Sequence, residues 1–411
     1  MLFIYLISFL LFYKINDVSS KPALKMVVYF YILASVCSLV LWYCYPDLSR
    51  DYPLRFGAIV YHIFVMTIMM MPLTKYDSKF DVTRIDIQYN TLKIYLYILI
   101  VLALISIASS FVTYSLILSS GISIVDGRNS AFGGESFMRI VKPYGSFLSH
   151  VSTISSEFSY ITLFLAFLLK CSYPEKKFLF RMTLFSSLSA IFFQLEWFGR
   201  ENIVRFIFDF LIIYYLFSNR LLEETKKKIK KTAIVVSAVI SVPFIAITLS
   251  RFDTSISDGG PGYSILSYLG QGMIHFSPFY HAYSGNMENW GHTTFAVFYP
   301  ESMRGSIFNA REQVGGSIDV PFNTFGTYVA SIVNDWGALG AFIPLALLFA
   351  FSRYVGRMRS DDIFFYIYAL WVLRFFASGI FYWIDLINNL DRIACFILVI
   401  GLHILSKSKY N

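Results

Sequence analysis

Charge is scarce in this chain. Asp, Glu, Lys and Arg make up only 15% of its 411 residues, against about a quarter in ordinary soluble domains. Cysteine is scarcer still: Cys37, Cys44, Cys171 and Cys395 all lie in or at the ends of apolar runs, so none can staple a polar loop. Cys37 and Cys44 are seven apart on one helical face, a spacing of core packing rather than of a metal pair. Several motifs are also missing. There is no G-x-x-x-x-G-K-[ST] loop, no H-E-x-x-H, no Cys-x-x-Cys and no Asp-x-Asp. Their absence removes support from ATP-driven transport and from metal-assisted transfer out of nucleotide sugars. No pair of matching halves with interrupted helices marks a secondary transporter, and no His-x4-Asp pair marks an acyltransferase.

What is abundant is apolar surface. Hydrophobic residues reach 56% and aromatic ones 19%, in runs of about 20 residues, the length that crosses a bilayer as a helix. The expected fold class is therefore an all-α polytopic membrane protein forming one integral domain over 1–411. Eleven spans are expected, near residues 2–13, 26–45, 56–72, 94–118, 145–169, 178–194, 203–217, 232–250, 327–351, 363–381 and 393–405. The first run lacks a basic start and a small-residue cleavage site and is read as a retained span rather than a signal peptide. The long polar stretch at 251–325 is read as one large loop inserted between two spans.

Orientation follows from the basic residues, which resist translocation in short loops. One alternate set of loops and the tail hold 22 of the 34 lysines and arginines, with runs at Lys14, Lys21, Lys25, at Lys75 and Lys79, at Lys226 to Lys231 and at Arg353, Arg357, Arg359. This places the C-terminus in the cytoplasm and the N-terminus and the 251–325 loop outside. The net charge of +8 is then a topology signal rather than a nucleic-acid footprint.

The remaining charges concentrate near the outer ends of spans: Arg128, Arg139 and Lys142; Glu196, Arg200, Glu201, Arg205 and Asp209; Arg251 and Asp253; and Asp335, followed by Arg374, Asp385, Asp391 and Arg392. Charge at such depth is costly and tends to face a cavity or a partner. Arginine predominates, and its planar fork of donors suits phosphate oxygens. Plainer readings stand beside this one. Arg205 and Asp209 are four apart and suit an internal helix pair, Arg50, Arg55 and Lys142 suit snorkelling to head groups, and Glu157 suits a hydrogen-bonded structural acid and a lining residue equally. His275, His281 and His292 are candidates for a general base, with His281 the first choice. The loop's aromatics, Tyr283 among them, fit a carbohydrate platform or an interfacial belt equally well.

The layout resembles the Wzy-type O-antigen and capsule repeat-unit polymerases. The resemblance rests on many spans, the turn Phe198-Gly199-Arg200-Glu201-Asn202, a large loop opening at Arg251 with Gly262 at Arg-x10-Gly spacing, and Asn323-Thr324-Phe325 leading to Asn334-Asp335-Trp336-Gly337-Ala338-Leu339-Gly340. It implies a GT-C-like, metal-independent glycosyltransferase of the bacterial inner membrane, without a cofactor. Its substrates would be undecaprenyl-pyrophosphate-linked glycans in contact with membrane lipid, and its protein partners a chain-length regulator and a flippase. In that reading Arg200 and Arg251 hold the pyrophosphate, with Arg128, Arg139 and Arg205 assisting. His281 or Glu196 takes the acceptor's proton, Tyr283 meets sugar, and Asp335 fixes the closing helix. An O-antigen ligase and a repeat-unit flippase remain as rivals, since architecture alone does not separate them.

Overall fold

The computed structural model describes residues 1–46, 53–85, 87–119, 145–196, 201–249, 260–285, 327–380 and 390–408. Among them regular structure is helical throughout. The longer helices, in order, are α1 (Phe3–Ile15), α2 (Pro22–Cys44), α3 (Phe56–Met70), α4 (Tyr89–Ser119), α5 (Gly145–Ser172), α6 (Lys177–Ser186) and α7 (Ser189–Glu196). They continue with α8 (Glu201–Phe217), α9 (Glu223–Leu249), α10 (Gly260–Tyr283), α11 (Tyr328–Gly340), α12 (Phe342–Val355), α13 (Ile363–Ser378) and α14 (Leu390–Ser408). Their outward faces are apolar: on α1 the exposed side chains include Phe3, Ile7, Leu10 and Leu11, while Tyr5, Phe9 and Phe12 are buried. A helix that is hydrophobic all round belongs in lipid.

Among the described residues, five helical stretches are long and apolar enough to cross a membrane: Pro22–Cys44, Phe56–Lys79, Tyr89–Ile117, Phe147–Ser172 and Lys177–Glu196. The bent pair α11 and α12 makes a sixth if it counts as one span. This is a polytopic membrane architecture. Some of the apolar runs form shorter helices. α1 has 13 residues and α13 has 16, which at 1.5 Å per residue reach about 20–24 Å, short of a hydrocarbon core of about 30 Å.

Two findings add detail to these segments. The run at 327–351 is two helices bent by 112°, because Gly337 sits at φ 66°, ψ 175°, a conformation closed to residues with a Cβ. Of the stretch read as a polar loop at 251–325, residues 260–283 form a helix. Its polar side chains Gln271, His275 and Ser277 are buried against protein, so low hydropathy there reflects interior hydrogen-bonding groups and small residues rather than exposure to water.

The chain divides into two compact units. The first comprises Met1–Phe80 and Ser257–Ile393. In it α10 packs most extensively on α2, and α1, α3, α11 and α13 join the same core. In lipid, apolar contact between helices gains little over contact with acyl chains, so close backbone approach and polar bonds must hold the bundle. Both occur here. A Cβ on Gly270 of α10 would lie 2.5 Å from the backbone nitrogen of Ser38 on α2, and Tyr31 donates a 2.8 Å hydrogen bond to the Phe376 carbonyl of α13.

At one end of this unit the basic loops gather. Asp77 accepts from the amides of Ala23 and Leu24 at 2.9 and 3.1 Å, capping α2. Tyr76 donates to the Ser352 carbonyl at 2.9 Å, and Lys79 to that of Met358. The turns after α1, α3 and α12, which carry Lys21, Lys75, Lys79, Arg357 and Arg359, thus meet on one side. In the first of these turns Asp17 takes the left-handed conformation at φ 45°. Hydrogen bonds from Ser20 and Ser19 hold its carboxyl below the usual carboxylate range.

The second unit, Asp81–Ile256 with Ala394–Asn411, is centred on α5, which packs against α4, α6, α7 and α8. The buried face of α5 is rich in hydroxyls: Ser152, Ser155, Ser156, Ser159 and Thr162. Ser159 donates to the Ser187 carbonyl at 2.6 Å, and Ser189 returns a bond to that of Ser155.

Candidate functional site

The most developed constellation lies in the first unit, where α3 begins. Pro53 and Leu54 bring the chain in, and Arg55 is the residue before the helix, at φ −111°, ψ 129°. Its amide donates to Ser277 Oγ at 2.8 Å, and Ser277 in turn donates to the Pro53 carbonyl at 2.8 Å. Ser277 is buried, and the next residue, Pro278, lies inside α10 and has no N–H to give the helix. The entrance of α3 is therefore clipped to α10 at the turn that the proline loosens.

One helical turn onward, His281 meets the Arg55 side chain: Nη1 lies 2.7 Å from Nδ1 of the imidazole, with both residues exposed. A guanidinium can only donate, so in this contact Nδ1 is the acceptor. His281 is the residue expected as a general base, and this contact sets its Nδ1 against Arg55.

Behind the pair stands an aromatic shelf. The ring of Tyr61 on α3 lies 5.0 Å from that of Tyr280, 6.4 Å from that of Phe276 and 5.9 Å from that of Phe342. Its hydroxyl donates to the Ala338 carbonyl at 2.7 Å, next to the break at Gly337. The amide of Ala338 donates to the Ser284 carbonyl at 3.0 Å. The break is thus tied to both α3 and the end of α10, so its freed backbone groups are satisfied as a broken membrane helix requires. Tyr283, expected to meet sugar, is buried with its ring stacked toward Phe279; Tyr61 and Tyr280 are the half-buried aromatics at this end.

Deeper along α3 is His62, fully buried. Tyr5 Oη lies 2.7 Å from its Nδ1, Thr327 Oγ1 lies 2.6 Å from its Nε2, and its ring stacks on Phe276 at 3.7 Å. Each hydroxyl can donate or accept, so the trio satisfies a neutral imidazole in either tautomer. Sequence reasoning passed over His62 and Tyr61. The signal was present in a histidine amid the apolar run of α3, because an ionisable residue at membrane depth is a functional candidate by default.

No protein family, curated protein or solved structure matches this chain. Its functional reading therefore rests on residues and geometry.

In the second unit Glu196 ends α7 with no exposed surface, and Ser110 of α4 donates to its Oε1. Nearby Tyr114 donates to the Phe192 carbonyl, and Asn202 donates to Ser156 Oγ at 3.1 Å. Asp209 is buried and Arg205 half-buried, and each is engaged in interactions of its own. Asp335, fully buried two residues before the break, is likewise engaged. Arg128, Arg139, Arg200 and Arg251 lie outside the described residues, as does His292. Among the described residues, no group of three His, Cys, Asp or Glu is arranged to hold a metal ion.

Proposed function

We propose that this chain is an integral membrane glycosyltransferase of the polymerase type. It would act at the outer face of a bacterial inner membrane, passing a growing glycan from undecaprenyl pyrophosphate to the terminal sugar of a new lipid-linked repeat unit. The observation that carries this reading is the segregation of charge in the first unit. The lysine-bearing turns gather at one end, held through Asp77 and Lys79. Arg55, His281 and the tyrosine shelf stand at the other end of α3, about 22 Å away along its 15 residues. Basic turns mark the cytoplasmic side, which leaves the arginine, imidazole and aromatic groups for the side where lipid-linked glycans are joined.

In the proposed reaction the acceptor hydroxyl oxygen attacks the anomeric carbon of the donor sugar. The bond from that carbon to the diphosphate oxygen breaks, the diphosphate leaves with the electron pair, and the hydroxyl proton passes to a base. His281 or Glu196 is the assigned base. Arg200 and Arg251 are assigned to the diphosphate, where a fixed cation stabilises the charge that develops on departure. Arg128, Arg139 and Arg205 support them, and Asp335 holds the broken helix. The finer architecture, eleven passes in a GT-C-like arrangement with an outside N-terminus, belongs to the same proposal.

The test is deletion of the gene in its host followed by extraction of the lipid-linked glycans. Single repeat units accumulating on lipid at the outer leaflet are expected, with restoration by the wild-type gene and not by an Arg251→Ala variant. Long lipid-linked polymer would identify a ligase instead, and units confined to the inner leaflet a flippase; either result overturns the proposal.

A further inference from the structure

We infer that the end of the second unit where the α5–α6 turn meets the start of α9 is a binding site for the phosphate of an anionic phospholipid of the surrounding bilayer. The inference stands apart from the reaction proposed above and concerns the other unit of the chain.

Three observations carry it. The first places the site at the membrane surface. The candidate spans Phe147–Ser172, Lys177–Glu196 and Tyr89–Ile117 end or begin here, and the turn between the first two is tied to the third. Tyr173 donates to the Ile87 carbonyl at 2.9 Å, and the Lys176 ammonium lies 5.0 Å from the centre of the Tyr89 ring. The start of α9 comes to the same place. The carboxyl of Glu224 is held below the usual carboxylate range by the hydrogen bond and charge of Lys228, and the charge of Lys177 on α6 adds to that effect.

The second is the pattern of charge. Residues 170–181 and 220–231 hold ten lysines and arginines against three glutamates, an excess of seven positive charges in two short segments. On α9, Lys226 and Lys228 are bonded to Glu223 and Glu224, each at 2.6 Å. Lys227, Lys230 and Lys231 are exposed while Ile229 between them is buried, and their i, i+3, i+4 spacing puts the three on one face of the helix. On α6, Lys177 and Arg181 are four apart and both exposed, which makes a second such face. Clusters of about four to eight basic residues beside a membrane span attract anionic head groups.

The third is apolar surface set among these cations. Phe178 follows Lys177 and is 76% exposed, and Leu222 precedes the lysines of α9 and is 75% exposed. Ile234 and Val235, one turn beyond Lys230 and Lys231, are exposed as well. Cations beside large apolar side chains suit the boundary between head groups and acyl chains. A free phosphate ion would gain nothing from the apolar residues, whereas a phospholipid brings a phosphate and acyl chains together. A topology signal needs only the number of cations in a loop; the shared faces and the apolar residues among them are additional to it.

The experiment titrates the full-length protein in a non-ionic detergent with phosphatidylglycerol or phosphatidylcholine and reads the lipid-bound species by native mass spectrometry. Phosphatidylglycerol is expected to bind about tenfold more tightly than phosphatidylcholine, with the preference shrinking as ionic strength rises. The triple variant Lys227→Gln, Lys230→Gln, Lys231→Gln should lose about tenfold or more in phosphatidylglycerol affinity, since each cation near the surface is worth about fivefold. Glu223→Gln with Glu224→Gln releases Lys226 and Lys228 from their ion pairs and should raise the affinity severalfold, a gain that damage to the fold cannot produce. Lys14→Gln with Lys75→Gln, in the first unit, should leave it unchanged. Glycerol phosphate, a head group without chains, should compete far more weakly than the lipid. Equal affinity for the two lipids, or unaltered affinity in the triple variant, overturns the site. An equal loss in the Lys14→Gln, Lys75→Gln variant would mean that net charge alone governs binding, and no gain in the Glu223→Gln, Glu224→Gln variant would remove the role of the α9 face. Equal competition by glycerol phosphate would remove the lipid; each of these results overturns the inference.

Discussion

Placing a methyl group on Gly270 tests what holds the first unit together. In the native chain a Cβ at this position would lie 2.5 Å from Ser38 N, 2.6 Å from Cys37 C and 2.9 Å from Ser38 Cα. All three are backbone atoms of α2, so no side chain can swing away, and Gly270→Ala is accommodated only by moving α10 from α2. Ordinary contact begins at 3.4 Å, so the helices must part by about 1 Å, a gap that already forfeits a quarter to a half of the dispersion energy of each facing pair. Overpacking of this kind costs about 1–3 kcal/mol. The opposing gain in helix propensity from glycine to alanine is at most about 1 kcal/mol, so the loss prevails, and a bulkier Gly270→Leu should be worse.

Cys37 supplies the readout, because it is buried beside this crossing. In a background where Cys44, Cys171 and Cys395 are replaced by serine, alkylation of Cys37 in mild detergent should be slow with the native Gly270. It should be several-fold faster in the Gly270→Ala variant, accompanied by a lower unfolding temperature. Gly57 is the control: a Cβ there meets nothing within 4 Å, and Gly57→Ala should leave both measurements unchanged. Equal stability and equal Cys37 protection in Gly270→Ala would refute the argument that backbone contact between α2 and α10 organises this unit.

Other perturbations address the bonds that replace hydrophobic driving force. Asp77→Ala removes the acceptor for the amides of Ala23 and Leu24 and should cost about 1 kcal/mol as a lost helix cap, read as a lowered unfolding temperature that Asp77→Asn partly restores. Gly337→Ala forces a Cβ into φ 66° and should cost about 1–3 kcal/mol. Spin labels at Ser331 and Leu347 should report a distance moving toward the roughly 24 Å of an unbroken helix of that length. His62→Ala leaves Tyr5 and Thr327 without their shared partner and should destabilise by about 1–3 kcal/mol, whereas Tyr5→Phe, which leaves only Nδ1 unmet, should cost less in the same melt. Single cysteines at Ser78 and Gly285 should react with an impermeant maleimide from opposite sides of sealed vesicles; labelling from the same side would refute the assignment of the two ends of α3 to two faces.

The helices most legible in the sequence are those whose apolar run and helical length coincide. α2 extends only a few residues beyond the run expected at 26–45, and α5 covers 145–169 and continues to Ser172. The break at Gly337 is not legible by hydropathy, since both sides are apolar. Its signal is the glycine-containing stretch Trp336 to Gly340, which reads as a motif and not as a bend. α10 escapes the sequence reading because glycine, serine and histidine score as polar wherever they sit, whereas here they make a helix that packs closely on α2 and buries Gln271, His275 and Ser277. For the site, single residues are visible but their pairings are not. Arg55 reads as a head-group anchor and His281 as a base, and only a contact across 226 positions assigns the lone pair of one to the N–H of the other.

That contact also explains why the two ends of α3 are built differently. At the lysine end the polar bonds run from side chains to backbone groups at helix termini: Asp77 to the start of α2, Tyr76 to Ser352 and Lys79 to Met358. Such bonds satisfy orphan amides and carbonyls, and they close that end around its own structure. At the arginine end the backbone is satisfied separately, through Ser277 for the entrance of α3 and through Ser284 and Tyr61 for the break. The Arg55 guanidinium and the His281 ring bond to each other across this end. Ser277→Ala removes both the acceptor of the Arg55 amide and the donor to the Pro53 carbonyl, and should cost about 1–3 kcal/mol by leaving buried groups unmet; an unchanged melt would mean that the entrance of α3 does not depend on this clip.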